Sequence, residues 1–319
     1  MINSLQKETM PIHETVLLEE TIDYISPKPK GTYVDATIGL GGHSELILRY
    51  SDYNSTIIGF DLDEDALTQV KKRFWNHEER FHLKNINFFN IDNALENMGI
   101  HEVDGIIADL GISSFQLEQS GKGFSFMKDE FLDMRMDITL QFKASDLVNE
   151  MTDEEISTIL LKFGEERWAK KISKRIIEER ANQPIYSSQV LANIVSDAIP
   201  RKFHPKKIHP ATKTFQALRI AVNSELENLK TFIDKAIECL RPGARIAIIS
   251  FHSLEDRIVK QKFSKLSSDC ICPPGLPVCG CNHRSKLEII TRSPVTPSKE
   301  EIVRNPRSRS AKLRVAEKK

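Results

Sequence analysis

The sequence lacks the features that mark membrane, secreted and repeat proteins. Its 319 residues contain no run of eighteen apolar residues, which excludes a typical transmembrane helix. The stretch from Met1 to Pro11 is polar and lacks the charged-then-apolar layout of a signal peptide. No internal repeat or low-complexity tract is evident. These absences predict a cytoplasmic protein that does not contact a membrane.

Cysteine is scarce and the net charge is zero. Four of the five cysteines fall between Cys270 and Cys281, which is unlike a secreted disulfide framework. Lys plus Arg and Asp plus Glu number 45 each, so that bulk charge predicts no partner. The distribution of charge is more informative, because the segment from Arg284 to Lys319 has eleven basic residues against four acidic ones. This basic C-terminal segment is a candidate for contact with a polyanion.

Short apolar runs alternate with helical patterns in the first part of the chain. The pattern predicts strands that end at or just before an acidic residue: Tyr33 to Asp35, Thr56 to Asp61, Ile86 to Asp92 and Val103 to Asp109. Because strands that alternate with helices are joined by crossover connections, the pattern predicts an α/β fold with a parallel sheet.

The alternation stops at Leu110, and helical patterns follow. One of them runs from Asp153 to Phe163, with Thr152 as its cap and Glu155 at capping-box spacing. We predict that residues 114–216 form an inserted all-helical domain.

The sheet pattern then returns in the last part of the chain. A strand is predicted at Ala244–Ile249, and Lys286–Ile290 and Lys312–Ala316 alternate with period two, as an antiparallel closing pair does. The sheet domain is therefore predicted to consist of residues 1–113 and 217–319.

The first predicted strand leads into the glycine turn Gly39-Leu40-Gly41-Gly42-His43-Ser44. Glycines in such a turn let ligand atoms approach the backbone at a helix N-terminus. Asp61 follows Gly41 by twenty residues, which suits an acid that binds the ribose hydroxyls of NAD or of S-adenosylmethionine (SAM). Asp35 would repel the pyrophosphate of NAD and attract the ammonium and sulfonium of SAM. The turn therefore favours SAM.

Acids follow all four strands predicted in the first part of the chain. A single acid in this place often only caps the next helix, but four in register at the ligand-binding edge of a sheet indicate a site. Asp92 is then placed to accept a hydrogen bond from the adenine amino group of the cofactor. Asp109, beyond the fourth strand, is placed near the methyl acceptor.

Seven motifs, in the same order along nearly the whole chain, resemble the bacterial small-subunit rRNA methyltransferase H family, also called MraW. They are His13–Leu18, Gly39–Ser44, Asp109–Leu117, Gly123–Phe126, Leu132–Asp137, Ser250–Arg257 and Asn305–Arg314. The resemblance implies a Rossmann-like class I SAM-dependent methyltransferase sheet with an inserted helical domain. It also implies N4-methylation of one cytidine in the decoding region of 16S rRNA, in the small ribosomal subunit.

The resemblance also implies which residues contact SAM. They are Gly41, Gly42, His43, Asp61, Asp109 and Gln116. We expect His43 to contribute through its backbone. The family has Phe at the position of Asp92, so the adenine contact of Asp92 rests on the physical argument alone.

Two side chains are candidates for the chemistry of methyl transfer. A carboxylate that accepts an N–H of the cytosine amine would stabilise the positive charge that develops on nitrogen, and Asp109 is placed for this role. His252 is the second candidate, with Phe251 available to stack on a flipped base. A purely structural interpretation of His252 is equally open, in which it caps the helix that Ser253 begins.

RNA contacts are expected in two basic segments, Arg201–Pro210 and Arg304–Arg314. Arg135 is expected either to reach RNA phosphate or to bind Asp133 locally.

Two classes of function compete with a methyltransferase: an NAD(P)-dependent oxidoreductase and a non-catalytic RNA-binding module. The glycines of the turn and the four acids at the strand ends are all present, which argues against the non-catalytic module.

The cysteines Cys270, Cys272, Cys279 and Cys281 form two C-x-C pairs. Zinc sites usually have two or more residues between paired thiolates, and C-x-C pairs strain a shared tetrahedron. We therefore expect no metal.

Overall fold

The chain forms two units, here named the sheet unit and the helical unit. The structure is a computed structural model that describes residues 14–112, 117, 121–273 and 279–319. The sheet unit consists of the chain up to Leu110 and from Phe232 onward, and the helical unit is Gly111–Thr231. The sequence placed the end of the insert at residue 216, which falls inside a helix that packs within the helical unit.

One seven-stranded sheet lies at the centre of the sheet unit. Its strands are β1 Thr32–Asp35, β2 Thr56–Asp61, β3 Phe81–Asn85, β4 Val103–Asp109, β5 Leu240–Ser250, β6 Leu287–Ile289 and β7 Lys312–Lys318. Their spatial order is β3-β2-β1-β4-β5-β7-β6. The first five are parallel, whereas β7 runs antiparallel between β5 and β6. The predicted α/β class and the antiparallel closing pair are confirmed.

The third strand differs from its prediction. It begins at Phe81 and ends at Asn85, before the predicted stretch Ile86–Ile91. Within that stretch, Phe88–Asn90 form a 3-10 turn, and the Asn87 side chain accepts a hydrogen bond from Phe89 N at 3.4 Å. β3 lies at the sheet edge, and its residues alternate between apolar and polar instead of forming a continuous apolar run. The prediction was wrong because the more apolar run follows β3 and does not belong to it.

The helices are α1 Leu18–Ile25, α2 Gly42–Tyr50, α3 Glu64–Arg73, α4 Ile91–Glu96, α5 Ala144–Glu150, α6 Asp153–Gly164, α7 Ala169–Arg180, α8 Ser188–Ala198, α9 Thr212–Asn223, α10 Glu225–Cys239, α11 Ser253–Ser267 and α12 Lys299–Arg304. Within the described residues, none of these helices has the length and apolar character needed to span a bilayer.

The helical unit has its own apolar core. Helix α6 packs against α7 and α9, and its start confirms the predicted capping box: Thr152 Oγ1 accepts Glu155 N–H at 3.3 Å, and Glu155 Oε2 accepts Thr152 N–H at 2.8 Å. Ile156, Leu160 and Ile172 are almost completely buried in this core. The insert therefore folds around hydrophobic contacts of its own.

Candidate active site

Three acids lie along one edge of the sheet. Asp61, Asp35 and Asp109 are the last residues of β2, β1 and β4, which are adjacent parallel strands. Carboxyl ends of parallel strands meet at the same edge, which is where ligands bind in open α/β sheets. The sequence prediction of strand-end acids is confirmed for these three residues.

The fourth acid, Asp92, does not end a strand. It lies in the first turn of α4, and its carboxylate is 2.9 Å from Lys235 Nζ in a partly exposed ion pair. The prediction failed because β3 ends earlier, at Asn85. The adenine contact proposed for Asp92 depended on its place at a strand end, and that basis is wrong.

The glycine turn is held against the end of β2. Gly39 and Gly41 have φ values of 49° and 78°, in the left-handed region that suits glycine. Gly39 N–H donates to Asp61 Oδ2 at 2.9 Å, and Gly41 N–H donates to Ile38 O at 2.7 Å. The turn thus brings the Asp61 carboxylate next to the backbone that leads into α2.

The packing around Gly42, the first residue of α2, leaves no space for a side chain. A Cβ at Gly42 would lie 1.8 Å from Thr15 Oγ1, which is far inside van der Waals contact. His43, the next residue, is buried. The cofactor role of Gly42 and His43, which we expect His43 to fill through its backbone, stays a prediction.

Asp35 connects β1 to α2 inside the sheet unit. Its carboxylate is 1% exposed and accepts hydrogen bonds from Ser44 Oγ at 2.7 Å and from Thr37 N–H at 3.4 Å. Burial, with a smaller contribution from the charge of Asp61, raises the pKa of Asp35 to about 6. Burial likewise raises the pKa of Asp61 to about 6. Both oxygens of Asp35 are thus hydrogen-bonded within the protein, and its carboxylate is almost completely buried.

Asp109 has a buried carboxylate oxygen without a partner. Among the described residues, Oδ1 of Asp109 has no hydrogen-bond donor, whereas its backbone N–H donates to Thr37 Oγ1 at 2.7 Å. Burial, together with the charges of Asp35 and Glu255, raises the pKa of Asp109 well above its ordinary value. An unsatisfied buried acceptor costs free energy, which a donor or cation from a ligand would recover.

His252 is the N-cap of α11. Its Nδ1 accepts Glu255 N–H at 3.4 Å, and its Nε2 lies 3.2 Å from Glu255 Oε1. Glu255 Oε2 accepts the N–H groups of Phe251 at 2.9 Å and of His252 at 3.3 Å. The capping interpretation of His252 is confirmed, and its catalytic role stays a prediction.

Sequence reasoning missed Glu255. This residue is 3% exposed, and its charge adds to the row of acids that raises the pKa of Asp109. The His-x-x-Glu spacing is that of a capping box and could have drawn attention to it. Gln116, a predicted cofactor contact, lies outside the described residues.

Arg135 is not free to reach RNA. Its guanidinium donates to both carboxylate oxygens of Asp133, at 2.7 Å and 2.9 Å, and to the carbonyl oxygens of Ile138 and Leu140. A bidentate pair of this kind fixes the side chain in place. The local alternative that the sequence left open is the one observed.

A sheet of this strand order, with a glycine turn and a row of acids at its carboxyl edge, defines a Rossmann-like methyltransferase. The sequence comparisons agree. The MraW methylase family matches residues 10–319, and the chain belongs to this family. S-adenosylmethionine is its cofactor.

The relatives of the chain are similar over nearly its whole length. Ribosomal RNA small subunit methyltransferase H of Clostridioides difficile is 49% identical, covering 96% of this chain and 98% of that protein. The protein of the same name from Halothermothrix orenii is 47% identical, with the same coverage of both chains. An rRNA methylase structure from Streptococcus thermophilus aligns with 12% identity and a TM-score of 0.41, covering 97% of this chain and 99% of that one. Membership of a methylase family contradicts the NAD(P)-dependent alternative.

The residues at the sheet edge fit the cofactor. SAM carries an ammonium and a sulfonium, and the row Asp61, Asp35 and Asp109 offers three carboxyl groups. One buried oxygen of Asp109 has no hydrogen-bond partner among the residues that the structure describes. A pyrophosphate would instead meet like charges at this edge. The donor set therefore matches a cationic ligand.

Proposed function

We propose that the protein transfers a methyl group from SAM to N4 of a cytidine in the decoding region of 16S rRNA, in the small ribosomal subunit. The names of the relatives support the RNA substrate, and the family motifs support the cytidine. The observation that carries the proposal is the buried carboxylate oxygen of Asp109, which has no hydrogen-bond partner in the part of the chain that the structure describes and belongs to the row of acids.

Asp61 and the glycine turn are proposed to hold the cofactor. Asp61 Oδ2 accepts Gly39 N–H and Asp61 Oδ1 accepts Asp63 N–H, each at 2.9 Å, and each oxygen keeps a second lone pair for a ribose hydroxyl. The backbone of Gly41, Gly42 and His43 lines the same turn. When bound, SAM supplies an electrophilic methyl group on a positively charged sulfur.

Asp109 is proposed to orient the cytosine amine. Burial and the charges of Asp35 and Glu255 raise its pKa, and a bound cation would lower that pKa and favour the carboxylate form, which can accept an amine N–H. This hydrogen bond would favour the positive charge that develops on nitrogen during transfer. Phe251, which is half-buried beside His252, is available to stack on the base.

The first basic segment supports RNA binding. Phe203 is 40% exposed, and Lys202 Nζ and the Arg167 guanidinium lie 5.0 Å and 5.5 Å from the centre of its ring. The ring centres of Trp168 and Phe203 are 5.2 Å apart. Aromatic rings among cations form platforms on which bases stack while phosphates are neutralised.

The second basic segment is engaged within the protein over part of its length. Arg314 Nε is 2.6 Å from one oxygen of Asp256, and Lys312 Nζ is 3.0 Å from the other. Arg304 lies 3.1 Å from Glu14. We therefore assign the greater share of RNA contact to Arg201–Pro210.

Methyl transfer to isolated ribosomal subunits tests the proposal. Small subunits from cells without this modification are incubated with the protein and with SAM labelled in its methyl group, and the RNA is digested to nucleosides. The proposal predicts label in N4-methylcytidine of 16S rRNA and none with the Asp61→Ala variant. Label in another nucleoside would contradict the assignment of N4 of cytidine, and absence of label from the wild-type reaction would favour the non-catalytic RNA-binding alternative.

A further inference from the structure

The loop between α11 and β6 brings four cysteines together at the surface of the sheet unit. The Sγ atoms of Cys270, Cys272, Cys279 and Cys281 all lie within 4.8 Å of one another. The Cys270–Cys279 and Cys279–Cys281 separations are 3.5 Å, and the Cys270–Cys281 separation is 3.8 Å. The two C-x-C pairs, which are nine residues apart in the chain, therefore point at a common centre.

These separations are those of a metal tetrahedron. Zinc–thiolate bonds of about 2.3 Å at tetrahedral angles place neighbouring sulfurs about 3.8 Å apart. A disulfide would need a sulfur–sulfur separation of about 2.05 Å. The observed distances are far longer than a disulfide and close to the edge of a ZnS4 tetrahedron.

Backbone amides point at the sulfurs. Ile271 N–H donates to Cys281 Sγ at 3.5 Å, and Cys272 N–H donates to Cys270 Sγ at 3.4 Å. Such bonds favour the thiolate form, which is the form that binds metal. The second bond also closes the C-x-C turn, so that the short spacing does not prevent both sulfurs from facing the same centre.

The loop is anchored to the end of α11 by two contacts. His283 Nε2 lies 3.0 Å from Lys265 O, and Lys286 N–H donates to Leu266 O at 2.8 Å. The His283 ring is thus engaged with the helix and is not a fifth ligand. The four sulfurs alone form a closed, four-coordinate donor set, which is typical of structural rather than catalytic zinc.

We propose that Cys270, Cys272, Cys279 and Cys281 bind one Zn²⁺ ion that fixes the loop between α11 and β6. Four soft thiolates in tetrahedral arrangement select zinc or iron, and zinc is the common structural metal of such sites. This proposal is independent of the methyl-transfer function. It replaces the expectation of no metal, which rested on the C-x-C spacing alone.

The metal content of the full-length protein tests the proposal. The protein is purified in the presence of a reductant and without chelator, and metals are measured by inductively coupled plasma mass spectrometry. We expect about one zinc per chain in the wild type and at least a tenfold lower content in Cys270→Ser/Cys279→Ser. The matched control is Cys239→Ala, because Cys239 is buried in α10 and belongs to neither pair.

A second measurement keeps the test valid if the double variant does not fold. Wild-type protein is stripped with a chelator under reductant and titrated with Co²⁺, which gives visible absorption characteristic of tetrahedral thiolate coordination. We expect this absorption to appear on addition of Co²⁺ and to disappear when zinc is added. The proposal is overturned if wild-type protein holds no zinc after incubation with it, if it holds iron instead, or if thiol titration shows that the four cysteines form disulfides.

Discussion

The carboxyl group of Asp109 is the most unusual group at the residue scale. It is buried, and one of its oxygens has no partner among the residues described. The charges of two further carboxylates, Asp35 and Glu255, raise its pKa. Like charges in a buried site disfavour ionisation and create a strong preference for a cation. A positively charged ligand would relieve this repulsion, which supports the proposed binding of SAM at this edge of the sheet.

Replacement of Asp109 by Asn separates its two possible roles. If Asp109 orients the amine, the variant lowers kcat about 100-fold while the Kd for SAM changes only severalfold. Single-turnover methylation and calorimetry measure the two quantities. A loss confined to SAM affinity would assign Asp109 to the cofactor alone.

The same variant has a built-in check of folding. The raised pKa means that folded protein holds the Asp109 proton at pH values where the unfolded chain has lost it, so the stability contributed by this group falls as pH rises. Asparagine does not ionise, so the variant does not lose stability in this way as pH rises. The melting temperature of Asp109→Asn at pH 8 should therefore not be lower than that of the wild type.

Asp61 offers a direct test of the cofactor site. Asp61→Ala removes the acceptor for ribose hydroxyls and for Gly39 N–H, and we expect SAM affinity to fall about 10- to 100-fold. Asp65→Ala, an exposed acid in the first turn of α3, is the matched control and should bind normally. Calorimetric titration gives both affinities. Unchanged binding by a folded Asp61→Ala protein would show that the ribose assignment is wrong.

At the residue scale, sequence reasoning found acids where strands end but could not find acids placed by tertiary packing. Asp35, Asp61 and Asp109 end apolar strands, which is a local pattern. Glu255 joins them because β5 pairs with β4, so that the start of α11 comes near Asp109, and this strand pairing is set by the folded sheet.

At the scale of elements, the glycine turn and α2 depend on a contact with the segment before α1. The space that a Cβ would take at Gly42 is filled by Thr15, with its Oγ1 at 1.8 Å and its Cβ at 2.9 Å from the ideal Cβ position. The lack of a side chain at Gly42 thus allows Thr15 to pack against the start of α2. The sequence showed the glycines but not which of them needed space.

Gly42→Ala should therefore misplace the start of α2. We expect a loss of stability of about 1–3 kcal/mol, since overpacking at a well-packed contact costs this much, together with weaker SAM binding. Thermal unfolding and calorimetry measure the two effects. The double variant Thr15→Gly/Gly42→Ala should regain part of the stability, and no recovery would mean that the cause lies elsewhere.

The strands differ in how well the local sequence pattern predicts their positions. Buried parallel strands such as β2 are continuous apolar runs and were predicted to within a residue. β3 was placed too late, because an edge strand carries a weaker pattern than the apolar turn that follows it. The helical unit continues to Thr231, beyond the predicted end of the insert at residue 216, since α9 packs against α6 through contacts that the sequence does not display.

At the scale of the whole molecule, charge is balanced in total but unevenly distributed. Lys206 and Lys207 are exposed in the basic segment of the helical unit, whereas Lys312 and Arg314 are paired with Asp256. Sequence reasoning treated both basic segments alike, because ion pairing between residues distant in the chain is invisible to it.

RNA affinity should depend on the exposed lysines. Lys206→Ala/Lys207→Ala is expected to weaken binding to small-subunit rRNA and to reduce the salt dependence of log K by about 1.4, if each lysine neutralises one phosphate. The matched control is Lys71→Ala/Lys72→Ala, an exposed pair on α3. Filter binding over a salt series provides the slopes. Equal slopes for the two double variants would contradict the assignment of this segment to RNA.

The central claim is that the row of acids at the sheet edge selects a cationic cofactor, and calorimetry of SAM against S-adenosylhomocysteine (SAH) tests it most directly. Burial raises the pKa values of Asp35 and Asp61 to about 6 and the pKa of Asp109 well above its ordinary value, and a bound cation would lower these pKa values and release protons. SAM has a sulfonium charge that SAH lacks, so the affinity ratio of SAM to SAH should rise about tenfold from pH 5 to pH 8. A ratio that does not change with pH would contradict the claim.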